Sequence, residues 1–116
     1  MVNSISNLVY LITADQLGIS DAGPGQNLMN NYIHAISQHE TVAKAILLVN
    51  TGVKLAVNDS GAFDDLKLLS ERGCNILSCG MCLNYYELTV CLGVGRISNM
   101  QEISGIAASA DKTITL

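Results

Sequence analysis

Asn7-Leu-Val-Tyr-Leu-Ile-Thr-Ala14 is a near-continuous apolar run. It lacks the strict alternation of a strand with one wet face and reads as a strand covered on both sides, as in a parallel sheet. A loop from Asp15 to Pro24 follows, holding Gly18 and Gly23. From Gly25 to about Gln38 the chain sets Leu28, Tyr32 and Ile36, with Met29 and Ile33, at helical spacing. A buried strand, a loop and a helix make the first half of a crossover unit, and the rest of the chain continues that alternation.

Ala43-Lys-Ala-Ile-Leu-Leu-Val-Asn50 is the second buried strand, broken by Thr51-Gly52. Val53-Lys-Leu-Ala-Val57 fits a short strand or a helical turn equally well. Ser60 is a predicted N-cap for a helix running to Arg72, with Phe63, Leu66 and Leu69 on one face and Gly73 at the C-cap position. Cys74-Asn-Ile-Leu-Ser78 reads as the third strand, and a short helix follows it through Tyr86. Leu92 to Ile97 supplies a fourth strand, Asn99 caps a helix to about Ser109, and Thr113-Ile-Thr-Leu116 is a final strand. The expectation is a single α/β domain over residues 1–116, a three-layer αβα sandwich around a mainly parallel sheet of about five strands. Right-handed crossovers place helices on both faces of such a sheet.

Composition narrows the function. At 116 residues the chain has the length of one domain. It buries roughly two thirds of its unfolded surface without help from disulfides or metal. The hydrophobic fraction is 49% and the charged fraction only 14%, against about a quarter for a typical soluble domain. That scarcity of charge predicts a homo-oligomer. The net charge of −4 and the six scattered basic residues argue against nucleic acid as a partner. The apolar runs are too short to span a bilayer, and no basic side chain precedes the first of them, so no membrane partner and no secretory signal is expected. A cytoplasmic location follows, where the four cysteines remain thiols.

In open α/β sheets ligands bind beyond the carboxyl ends of the strands. The residues just past each predicted strand are Asp15, then Asn50-Thr51-Gly52, then Cys79-Gly80, then Ser98-Asn99. Topology alone picks these positions, and they include the start of the one CxxC in the chain, Cys79-Gly80-Met81-Cys82. A thiol at a helix N-terminus meets unpaired backbone N–H groups and the positive end of the helix dipole, which favour the nucleophilic thiolate. Gly80 offers no side chain to block approach. Cys82, about one turn on, is placed to resolve a disulfide or stabilise an adduct. No acid, base or cation lies within three residues of the motif, which suits a carrier of sulfur better than a self-sufficient catalyst.

Four stretches resemble the C-terminal domain of YedF-type proteins, within the DsrE-like sulfur-relay superfamily. They are Asn50-Thr-Gly-Val-Lys-Leu-Ala-Val57, Leu68-Leu-Ser-Glu-Arg-Gly73, Ile76-Leu-Ser-Cys-Gly-Met-Cys-Leu-Asn84 and Val94-Gly-Arg-Ile-Ser-Asn-Met100. The resemblance implies a DsrE-like αβα fold, homo-oligomeric assembly and a sulfurtransferase-like role linked to selenium metabolism. It places the transferred sulfur on Cys79, the first cysteine of the motif. It implies sulfur donor and acceptor proteins as partners, a TusA-like carrier among them, and no cofactor. YedF-type proteins usually carry an N-terminal TusA-like domain with a Cys-Pro motif. Here the one proline, Pro24, has no cysteine beside it, so that partner is expected as a separate protein or on a longer chain. The loop after the first strand also departs from the family, with Ser20 in place of a second glycine.

Other readings of the same residues compete. Cys74, Cys79, Cys82 and Cys91 read as C-x4-C-x2-C-x8-C, a spacing partly like that of plant-type iron–sulfur proteins. Five strand steps, however, put Cys74 roughly 16 Å from Cys79, too far for a shared metal. Cys74 and Cys91 read more simply as buried apolar fillers. His34 and His39 suit solvent or oligomer contacts, and Tyr85-Tyr86 suits pocket lining and packing equally. The principal alternative is a non-catalytic module binding a small ligand or a protein at the strand ends, with structural or redox-sensitive cysteines.

Overall fold

The computed structural model describes residues 4–19 and 22–116; Ser20, in the altered loop, lies outside them. The apolar runs form strands β1 (Ser4–Ile12), β2 (Thr41–Leu48), β3 (Asn75–Cys79), β4 (Arg96–Ser98) and β5 (Lys112–Thr115). Helices α1 (Gly25–Ser37), α2 (Phe63–Glu71), α3 (Gly80–Tyr85) and α4 (Met100–Ser109) connect them. The five strands lie in the order β4-β3-β2-β1-β5, and every ladder is parallel.

Strand order and handedness fix the layers. The first three crossovers each step one strand in the same direction, whereas the last returns across the whole sheet to β5. Right-handed connections therefore put α1, α2 and α3 on one face and α4 on the other. The β3 and β4 connections leave toward opposite faces, which makes their carboxyl ends the topological switch point of the sheet. Cys79 and Ser98 stand side by side there in register.

β2, at the centre, explains its own sequence. Six of its eight residues are buried, and only Thr41 and Lys44 carry polar side chains. Val9, Ile12, Ile46, Leu47, Leu48 and Leu77 are at most 1% exposed. Met29 and Ile33 from α1, and Leu66 and Leu69 from α2, close the core on one face. Burying one such side chain is worth about 1.5–3 kcal/mol, so this layer dominates the stability of the domain. Of the helical positions expected along α1, Leu28 alone stays largely exposed.

Several local expectations shift. Ser60 does not cap α2; that helix starts at Phe63 with Ala62 in the cap position. The Ser60 hydroxyl instead accepts from the Ala62 N–H at 3.0 Å, and its carbonyl accepts from Phe63, forming a turn that precedes the helix. Gly73 does close α2, with φ +105, and Asn99 caps α4 by accepting from the Glu102 N–H at 2.9 Å. The ambiguous stretch after β2 is a 3-10 helix, Asn50–Ala56. The fourth strand is shorter than expected and starts only at Arg96. Gly95 adopts φ +77, a turn conformation that L side chains avoid. Leu92, upstream of it, forms a lone antiparallel bridge with Val57.

Candidate functional site

Cys79 ends β3 and occupies the N-cap position of α3, with φ −63 and ψ 120. It is 2% exposed. Cys82 lies three residues on, in the first turn of α3, and is partly exposed. Its Sγ accepts the Asn50 backbone N–H at 3.1 Å, and the Cys79 thiol is its neighbour at the N-cap of the same helix. Burial pushes the Cys82 thiol above its ordinary range; the Asn50 N–H works against that, and the neighbouring Cys79 reinforces it. All four cysteines are free thiols. Burial pushes Cys74, just before β3, up to about 12, which makes it an inert core filler.

Cys82 lines a cavity of about 290 Å³ with Asn50, Met81, Tyr85 and Tyr86. Asn50 is held at φ +53, the left-handed region that Asn tolerates better than most residues. That twist turns the chain after β2 so that its N–H meets the sulfur. The Asn50 side chain accepts from the Tyr86 hydroxyl at 3.1 Å, and Lys54 Nζ lies 4.7 Å from the centre of the Tyr86 ring. Tyr85 packs edge-on against Tyr86 with centroids 5.0 Å apart. Met81 and Tyr85 are 76% and 79% exposed, so the mouth of the cavity is apolar.

The expected supporting residues divide into those that reach the sulfurs and those that do not. Asn50 does. Gly80 adjoins β4: a Cβ there would come within 2.9 Å of Ile97 Cγ2 and 3.3 Å of the Ser98 carbonyl. Its missing side chain thus admits the edge strand rather than an incoming ligand. Gly52 lets the 3-10 helix pack on β1, where a Cβ would lie 2.5 Å from the Ile12 carbonyl oxygen. Thr51 accepts the Asp15 N–H at 3.2 Å and joins the ends of β1 and β2. Asp15 lines a separate polar cavity of about 180 Å³ with Gln26, Asn30, Lys54, Leu55, Ser60 and Gly61. The Asn99 side chain is committed to its cap. Lys54, which lines the cavity beside Asp15 and lies over the ring of Tyr86, is the residue that sequence reasoning missed. Its place becomes informative only once the stretch from Asn50 to Ala56 is known to be helical.

Beside Cys79, the edge strand is clamped to α4. Arg96 donates two bonds to Glu102, at 2.8 and 2.7 Å, and Ser98 donates to the same carboxylate. These donors hold the Glu102 carboxyl down at about 2. Among the described residues, no three His, Cys, Asp or Glu side chains converge as a metal site. No described helix is long and apolar enough to cross a membrane.

No family model matches the chain, and neither does any curated protein. Among solved structures, the ychN protein from E. coli superposes with a TM-score of 0.64, covering 93% of this chain and 97% of that one at 15% sequence identity. The fold is thereby DsrE-like.

Proposed function

We propose that this protein carries sulfur or selenium as a persulfide-type adduct on its Cys79–Cys82 pair, in the manner of a YedF-type C-terminal domain. The observation that carries the reading is that the two cysteines sit at the carboxyl end of β3, at the N-cap and in the first turn of α3, with Cys82 open to a cavity. A sulfane sulfur delivered there enters an apolar mouth of Met81 and Tyr85, and meets the Asn50 N–H, a donor suited to a thiolate or perthiolate. The fold supports the same reading. Its partners are a sulfur donor and an acceptor protein, a TusA-like carrier among the candidates, in a reducing cytoplasm and with the protein as a homo-oligomer.

The test is sulfur uptake by the fully reduced protein from a persulfide donor, followed by peptide mass mapping. The donor's sulfur is expected to mark the Cys79–Cys82 peptide, as an added sulfur or as the disulfide that its departure leaves, and both marks are expected to vanish in the Cys79→Ser/Cys82→Ser double variant. Undiminished uptake by that variant would sink the proposal. A second reading, a module that binds a small polar ligand, draws on the cavity beside Asp15 and Lys54. It predicts binding that Lys54→Met weakens and the double cysteine variant leaves intact.

A further inference from the structure

The two sulfurs of the motif are not equivalent. Cys82 faces the cavity of about 290 Å³, whereas Cys79 does not line it and is 2% exposed. A persulfide arriving from solvent, on a small thiol or on a partner's cysteine, therefore meets Cys82 first. Cys79, buried at the N-cap of α3, is the neighbour of that sulfur. Displacement at Sγ of Cys82 needs the nucleophile opposite the terminal sulfur, and Cys79 at the N-cap and Cys82 in the first turn put both thiols at the same end of α3. Side chains three apart on a helix have Cβ atoms about 5–6 Å apart, and a disulfide needs about 4 Å. An adjustment of about 1–2 Å in the first turn of α3 closes that gap.

Resting on the carrier reading, we infer that Cys82 is the entry sulfur and Cys79 an internal resolving thiol, so that an organic persulfide is the substrate and, where no acceptor protein takes the sulfur, sulfide is the released product. The Cys82 thiolate attacks the outer sulfur of the persulfide. The donor's S–S bond breaks, its thiolate leaves with the proton that Cys82 gave up, and Cys82 holds the persulfide. The Cys79 thiolate then attacks Sγ of Cys82. The bond from Sγ to the terminal sulfur breaks, the Cys79–Cys82 disulfide forms, and hydrosulfide leaves with the electron pair and picks up the proton from Cys79. The sulfane sulfur gains two electrons and the two cysteines lose two. A reducing dithiol restores the pair by thiol–disulfide exchange. A selenium adduct leaves as selenide by the same steps.

Reduced protein is mixed with one equivalent of glutathione persulfide, and both free sulfide and intact mass are followed. Wild type is expected to release one equivalent of sulfide and to lose two hydrogens. Cys79→Ser and Cys79→Ala, two variants because the site is buried, are both expected to stop with one added sulfur and no sulfide released. Cys82→Ser is expected to take up no sulfur. Wild type that keeps the added sulfur and releases no sulfide overturns the inference while leaving the carrier reading standing. Uptake by Cys82→Ser at the wild-type rate does the same. A wild-type mass and sulfide level that never change sink both.

Discussion

Asn50 combines a left-handed backbone, φ +53, with two contacts that face the candidate site. Replacing it with Ala and, separately, with Gly divides the backbone contribution from that of the side chain. Both variants lose the exposed bond from Tyr86, worth about 0.5 kcal/mol at a wet site. Only Ala meets the steric cost of the left-handed region, about 1–2 kcal/mol. Gly in turn costs about 0.4–1 kcal/mol by loosening the unfolded chain. The net expectation is that Asn50→Ala is less stable than Asn50→Gly by about 1 kcal/mol. With a slope of about 2 kcal/mol/M that shifts the urea midpoint by about 0.5 M.

The same substitution reports on Cys82. An alanine that relaxes out of the left-handed region carries its N–H away from the sulfur, and the Cys82 thiol, already raised by burial, rises further. At about 1 kcal/mol for the lost bond, the thiolate fraction near neutral pH falls about five-fold. Alkylation of Cys82, followed by peptide mass spectrometry, should slow by that factor in Asn50→Ala and stay close to wild type in Asn50→Gly. Cys74, pushed to about 12, should remain unmodified throughout and so certify that the protein is folded. Equal alkylation rates in the two variants would refute the argument that the backbone of Asn50 tunes this sulfur.

Two further outcomes follow from the edge strand. Gly95→Ala places a Cβ 2.1 Å from the Ile76 carbonyl oxygen at φ +77, so β4 must shift; a loss of about 3 kcal/mol or more is expected in chemical denaturation, and an unchanged midpoint would contradict it. Glu102 is held down at about 2 by Arg96 and Ser98, below the ordinary glutamate value near 4.3. Its folded pKa is depressed, so its contribution to stability is complete above about 4.3 and fades as pH falls toward about 2. Urea midpoints across that window should fall more steeply for wild type than for Glu102→Gln, and parallel slopes would count against the clamp.

The sheet was legible because its strands are buried on both faces. Apolar runs such as Ala45–Val49 are short, rich in branched side chains and closed by a Thr-Gly break, which favours a buried strand over a helix, and the glycine at position 73 marked a helix end where the structure has one. The edge was harder to read. Leu92 to Ile97 has the composition of a strand, but pairing is decided by backbone approach, and Gly95 with its positive φ delays β4 to Arg96. Ser60 misled for a related reason: a hydroxyl that accepts from the N–H two residues on makes a local turn as readily as a helix cap. At the site, topology reached Asn50 and the CxxC because both follow strands directly. It missed Lys54, and it gave Gly80 an approach role where the structure gives it a packing one.

The relative burial of the two cysteines was beyond sequence reasoning for a geometric reason. Spacing alone fixes that residues 79 and 82 are neighbours, and says nothing about which of them meets solvent. That is decided by what covers each: β4 lies in register beside Cys79 through the Cys79–Ser98 pair, and the Arg96–Glu102 clamp ties β4 to α4. Cys82 sits in the first turn of α3 against the start of the 3-10 helix, through the Asn50 N–H, and opens on the cavity. If the clamp and Gly95 keep Cys79 covered, loosening β4 should expose it to alkylation well before the sheet unfolds. Equal alkylation of Cys79 in wild type and in Gly95→Ala, at denaturant concentrations where the sheet persists, would refute that cover.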